Sequence, residues 1–158
     1  MTHFFCSDCG WCHVVEVRDC RNLEVVGYGI SRKRNAKVAE GALEDALLGR
    51  SGRNTASSQG LALRSDNGLI FTSKPYLKLV RHYGVRLKYS TPYSTKQNGV
   101  MERFMRTLEE ECIWLQLFSS FAEAKATIEA WIQRYNTQRP HQEPGQVTPV
   151  EYGYEHAA

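Results

Sequence analysis

The sequence predicts an α/β fold, and three observations predict it. Two β-branched, apolar-rich runs near the start, Val14 to Val17 and Leu23 to Ile30, are separated by polar residues as in a hairpin. A strand, helix, strand pattern follows between Leu61 and Tyr89. From Val100 onward, apolar residues recur at helical spacing in two successive segments. Strands first, then alternation, then helices make an α/β layer arrangement.

Each element has a local reason. The residues Arg18, Asp19, Cys20, Arg21 and Asn22 turn the first hairpin. Asn35 is a suitable N-cap for a helix to about Leu48, with Val38, Ala42, Ala46 and Leu47 on its apolar side and Gly49 stopping it. Ser51 to Gly60 is a loop of small residues. Leu61 to Ser65 is a short strand ending in the turn signal Asp66-Asn67-Gly68. Ser73 then caps a helix with Pro75 in its first turn and Gly84 just past its end, and Val85 to Tyr89 alternates as another short strand. Ser90 to Gly99 is polar, bracketed by Pro92 and Gly99, and reads as a mobile loop. Met101, Phe104, Met105, Leu108, Cys112 and Leu115 follow helical spacing from Val100. The capping box Ser120-x-x-Glu123 opens a last helix that buries Phe121, Ala124, Ile128, Trp131 and Tyr135. Residues 137–158 read as an irregular tail, and residues 1–158 as one domain.

A length of 158 residues with 42% hydrophobic residues is enough for a single sizeable core. There is no stretch of roughly 20 apolar residues that would span a membrane, and no secretory pattern at the start, so a cytoplasmic location is expected. The net charge of +3 identifies no partner, but its placement is uneven. Between Lys74 and Arg106 stand eight basic residues against the one acid Glu102, with Tyr76, Tyr83, Tyr89 and Tyr93 interleaved. That composition suits a phosphate backbone, and equally a solvated face whose tyrosines belong to the core.

Five cysteines include the run Cys6, Cys9 and Cys12. Zinc would need a fourth ligand, which His3 or His13 could supply. A spacing of three on an extended segment does not place all three thiols on one face, so reduced, partly buried thiols are the expectation.

The carboxylates are the candidates for chemistry. Asp66 ends a strand, Glu102 lies near a helix start with 35 residues between the two, and Asp8 lies far upstream. Two divalent cations about 3.5 to 4 Å apart need carboxylates converging from different elements. Alone, Asp66 is equally a turn residue and Glu102 an acid that suits a helix N-terminus.

Several ordered motifs go further. The runs Leu63-Arg64-Ser65-Asp66-Asn67-Gly68 and Phe71-Thr72-Ser73 are followed by Thr91-Pro92-Tyr93 and Gln97-Asn98-Gly99-Val100-Met101-Glu102-Arg103. With Tyr135-Asn136-x-x-Arg139-Pro140-His141 and Thr148-Pro149-x-Glu151-Tyr152, they resemble the DDE insertion-sequence transposases, relatives of retroviral integrases, over about residues 4 to 152. The resemblance implies an RNase H-like fold, a mixed central sheet flanked by helices, with Asp8, Asp66 and Glu102 as catalytic and metal-binding residues. It implies Mg²⁺ or Mn²⁺, two ions, supporting DNA cleavage and strand transfer by phosphoryl transfer in transposition. Lys96, Gln97, Asn98, Arg103 and Arg106 would contact DNA, at transposon ends and target. A homo-oligomer in the bacterial cytoplasm, associated with the nucleoid, is the expected setting. Tyr135, Asn136 and Arg139 would form a structural clasp tying the last helix to the tail.

Two departures from the family accompany this. Only Cys9 separates Asp8 from Gly10-Trp11, where the family has several more residues, so the first hairpin should be tight and its register decides where Asp8 points. Glu109 stands where the family commonly has a lysine facing DNA. The chain opens almost at its first strand, so recognition of specific ends is expected to lie outside it. The alternative to an active enzyme is a degenerate RNase H-like remnant that binds DNA or a transposase subunit.

Overall fold

The computed structural model describes residues 1–51, 60–90, 95–141 and 146–156, the side chains of 51, 95–98 and 100 excepted. Strands β1 (Thr2–Cys6), β2 (Gly10–Arg18) and β3 (Val25–Ser31) form an antiparallel sheet in that order. The β1–β2 turn is only three residues long, because Cys6 pairs with Gly10, whose φ of +75° a residue with a Cβ rarely adopts. Strands β4 (Ala62–Ser65) and β5 (Arg86–Tyr89) pair in parallel around helix α2 (Lys74–His82), the crossover that a parallel pair requires. Parallel and antiparallel pairing are both present as expected, but the described strands divide them between two sheets.

Helix α1 (Ala36–Ser51) covers one face of the first sheet. Asn35 Oδ1 caps it by accepting from the Val38 N–H at 3.1 Å, and Ala39, Ala42, Leu43, Ala46 and Leu47 are buried with Val15. The helix lies so close to β3 that a Cβ on Gly27 would come within 2.1 Å of the Ala42 carbonyl oxygen, and one on Gly29 within 2.6 Å of Val38. Gly49 does not stop the helix. The Arg50 guanidinium, bonded to Asp19 at 3.0 Å and Glu24 at 2.9 Å, holds the last turn against the β2–β3 connection and offsets the roughly 1 kcal/mol that a helical glycine costs.

The opposite face is covered by α3 (Thr95–Leu108), which runs on through a π-helical turn, Glu109–Ile113, and by α4 (Phe121–Thr137). Phe104, Leu108, Cys112, Ile128, Trp131 and Tyr135 pack there with Phe4, Cys6, Cys12 and Val14. Helix α3 begins at Thr95, five residues before the expected start at Val100. Its first turn is polar, so apolar spacing carries no signal there. Ser120 caps α4 by accepting from the Glu123 N–H at 3.2 Å. The expected clasp exists with different partners. Asn136 exchanges two hydrogen bonds with the Val25 backbone, at 3.0 and 2.9 Å, tying α4 to β3, while Arg139 pairs with Glu111. The tail is not wholly irregular, since α5 (Pro149–Glu155) opens on a capping box of Thr148 and Glu151 with Pro149 in its first turn. Among the described residues no helix is long and apolar enough to cross a membrane.

Glu16 is out of keeping with this interior. Both carboxylate oxygens are buried with no hydrogen-bond partner among the described residues. Burial raises its pKa against the pull of the N-terminal amine and Arg18. A raised native pKa means that the folded state holds this proton better than the unfolded chain does. Stability is therefore full below the unfolded carboxylate range and falls as pH rises through the native pKa. Glu16→Gln, which keeps the shape without the charge, should raise Tm at pH 7 by about 3 to 6 °C, for a gain of roughly 1 to 2 kcal/mol. Thermal unfolding across pH checks this, and the difference should vanish below about pH 4.

Candidate active site and an adjoining thiol cluster

Asp66 follows the last residue of β4 and is held by its own turn. Its Oδ1 accepts from the Gly68 N–H at 2.8 Å, and a Cβ on Gly68 would come within 2.7 Å of that oxygen, so a side chain there would displace the Asp66 carboxylate. Asn67 Nδ2 donates to the Ser90 carbonyl at 3.2 Å, fastening this turn to the end of β5. Tyr76, buried beneath, has its phenol pKa raised by burial first and then by Tyr89 and the Asp66 charge. Glu102 lies on the exposed side of α3, one position before Arg103 and one turn before Arg106, both exposed. Arg106 is drawn into an ion pair with Glu110 at 2.8 Å. Residues 91–94 and the side chains of Lys96, Gln97 and Asn98 lie outside the described residues.

Asp8 departs from expectation. It sits in the β1–β2 turn, where its Oδ1 accepts from the Phe121 N–H at 3.1 Å, satisfying a donor in the first turn of α4. The physical reason is the three-residue turn, which places Asp8 beyond the end of β1 and against the start of a helix whose positive pole favours an anion. Glu109 accepts from the Thr2 hydroxyl on β1.

A divalent cation needs carboxylate oxygens gathered around it at about 2.0 to 2.6 Å. Asp8, Asp66 and Glu102 do not form a group whose ligand atoms all lie within 4.8 Å of one another, the closeness that one ion shared by all three would need. The group of three that does gather, among the described residues, is Cys6, Cys9 and Cys12. This corrects the expectation from spacing: the segment is a tight hairpin, not an extended run, so β1, the turn and β2 each contribute one thiol. Cys9 Sγ and Cys12 Sγ are 3.4 Å apart, Cys6 and Cys12 are fully buried, and Cys9 is half-buried. Burial raises the Cys6 pKa and pushes the Cys12 thiol up to about 12.

The integrase core domain family matches residues 1–95, which is more than half of the 158. The chain belongs to that family. A second description of the integrase core domain matches residues 83–149. The chain is 28% identical over 136 residues to the putative transposase InsK of insertion sequence element IS150 from Escherichia coli, covering 86% of this chain and 46% of that one. It is 36% identical over 97 residues to a 31.7 kDa insertion element IS407 protein of Burkholderia multivorans, covering 61% and 35%. It thus spans less than half the length of either relative. Among solved structures, the catalytic core domain of BIV integrase superposes with TM-score 0.61 at 18% identity, covering 98% of this chain and 91% of that one. The HTLV-2 integrase catalytic core domain in complex with magnesium gives TM-score 0.59 at 16% identity, covering 96% and 90%. This integrase core is therefore RNase H-like in fold.

If Asp8 caps α4, Asp8→Ala should cost about 0.5 to 2 kcal/mol of stability. Denaturant unfolding should register the loss, while calorimetry should show divalent-cation affinity unchanged.

Proposed function

We propose that this integrase core is the catalytic-core portion of an insertion-sequence transposase, acting on DNA phosphodiesters at element ends and target, with Asp66 and Glu102 as its acidic residues. Membership of the integrase core family carries the reading. The placement of Asp66 directly after β4, beside the end of β5, and of Glu102 on an exposed helix face next to Arg103 and Arg106, supports it. Mg²⁺ or Mn²⁺ is the expected cation, two ions by the resemblance, with Asp66 and Glu102 as protein ligands. Arg103 and Arg106 would meet phosphates, with Lys96, Gln97 and Asn98 ahead of them on α3. DNA in the bacterial cytoplasm and a second copy of the chain are the proposed partners.

A second reading rests on one observation: Asp8 is engaged at α4, and the three carboxylates do not gather as one group within 4.8 Å. A core with two acidic residues in place of three would bind DNA, or a transposase subunit, without cutting.

The deciding experiment follows Mn²⁺-supported nicking of supercoiled DNA together with DNA binding in a gel. For an active core, Asp66→Asn and Glu102→Gln should each lower nicking by at least about a thousandfold, some 4 kcal/mol of barrier, and leave binding within about twofold. DNA bound by the wild type but never nicked would establish the second reading.

A further inference from the structure

We propose that Cys6, Cys9 and Cys12 form a three-thiolate Zn²⁺ site that cross-links the β1–β2 hairpin. The argument is geometric and independent of the carboxylates. All three Sγ atoms lie within 4.8 Å of one another, and Cys9 Sγ and Cys12 Sγ are 3.4 Å apart. Tetrahedral zinc with Zn–S bonds of about 2.3 Å holds its sulfurs roughly 3.8 Å apart, so the cation enters this cluster with small side-chain adjustments. Soft thiolates select a thiophilic cation over the hard Mg²⁺ that carboxylates take.

The three ligands arise from separate parts of one hairpin. Cys6 ends β1, Cys12 lies in β2 opposite Phe4, and Cys9 occupies the turn before Gly10. The histidines considered as a fourth ligand are excluded by strand alternation. His3 and His13 are paired with each other, one residue off Phe4 and Cys12, and so stand on the opposite face of the sheet. No fourth Cys, His, Asp or Glu joins the three among the described residues, so the fourth ligand would be water or an exogenous thiolate entering beside the half-buried Cys9. A site with three thiolates and one Zn²⁺ carries net negative charge, and the turn that holds Cys9 is bonded to the segment that opens the 17-residue α4. Ser7 donates to the Phe118 carbonyl at 3.0 Å, and Asp8 accepts from Phe121 at 3.1 Å. The positive pole of that helix favours such a charge.

Apo, reduced protein titrated with Co²⁺ should develop the sulfur-to-cobalt charge-transfer absorption of a thiolate site at one equivalent, and Zn²⁺ should displace it. Cys6 and Cys12 are core residues whose replacement can unfold the domain, so the deciding variant is Cys9→Ser. It should weaken Zn²⁺ affinity by at least about a hundredfold, since the remaining donor is a neutral hydroxyl. Cys20→Ser, at an exposed thiol, and Asp66→Asn should leave the spectrum and affinity unchanged. Zinc should also raise the wild-type Tm. Absence of the charge-transfer band in reduced wild type, affinity unmoved by Cys9→Ser, or a Cys9–Cys12 disulfide persisting in reductant would each overturn the proposal. None of these outcomes bears on nicking by Asp66 and Glu102.

Discussion

Everything in this structure depends on β2 and β3 being covered on both faces at once. One face is closed by α1, which can approach only because Gly27 and Gly29 present no side chain to it. Val15 lies beneath that helix, while its neighbours Cys12 and Val14 belong to the core formed with α3 and α4. A strand buried on both sides loses the polar alternation of an exposed sheet, and Val14 to Val17 shows that loss as a nearly continuous β-branched run. Glu16 is the exception within it. The bonds that lock the second layer are few and specific: Asn136 to the Val25 backbone, and the Arg18 guanidinium to the Tyr135 hydroxyl at 2.8 Å, with that guanidinium 4.6 Å over the Phe104 ring.

Most of this architecture is legible in the sequence because its signals are local. Asn35, Ser73 and Ser120 each cap the helix they were expected to cap, since a short polar side chain before an apolar period has one economical use. The β4–α2–β5 unit follows from the turn Asp66-Asn67-Gly68 and from Pro75 and Gly84 at the two ends of α2. The departures arise where no local signal decides. The first turn of α3 is polar in sequence, and so its residues look like loop. Helix α5 carries a capping box, Thr148 with Glu151, behind a proline, the same signal that announced α4. It was readable, and its short length and the turn-rich residues around it obscured it.

The site was legible in part and for a different reason. Asp66 and Glu102 are identified by motifs, and motifs record ancestry, so they survive whatever the present geometry is. Asp8 had no motif of its own beyond its place near the start, and its direction depends on hairpin register. A strand that ends two residues earlier carries the following carboxylate around the turn to the other end of the sheet's neighbour, here the start of α4. The cysteines were misread by the same mechanism in reverse. Spacing arguments assume one kind of backbone throughout, whereas Cys6, Cys9 and Cys12 lie on strand, turn and strand, and a hairpin brings together what an extended chain separates.

These two misreadings meet in one turn. Residues 6 to 12 pack three thiols toward the core and one carboxylate toward a helix, within the hairpin that determines where β1 lies. In an integrase core that strand borders the π-helical turn after the helix carrying Glu102, through Thr2 and Glu109. A turn held at one end by Asp8 and through its length by the thiol cluster fixes β1, and β1 in turn fixes Glu109. A restrained turn lowers the freedom of β1, and through Thr2 that of the π-helical turn containing Glu109. The same clamp leaves Asp8 committed to α4. A single three-residue turn thus carries both the thiol cluster and the Asp8 contact to α4, and the two restrain β1 together.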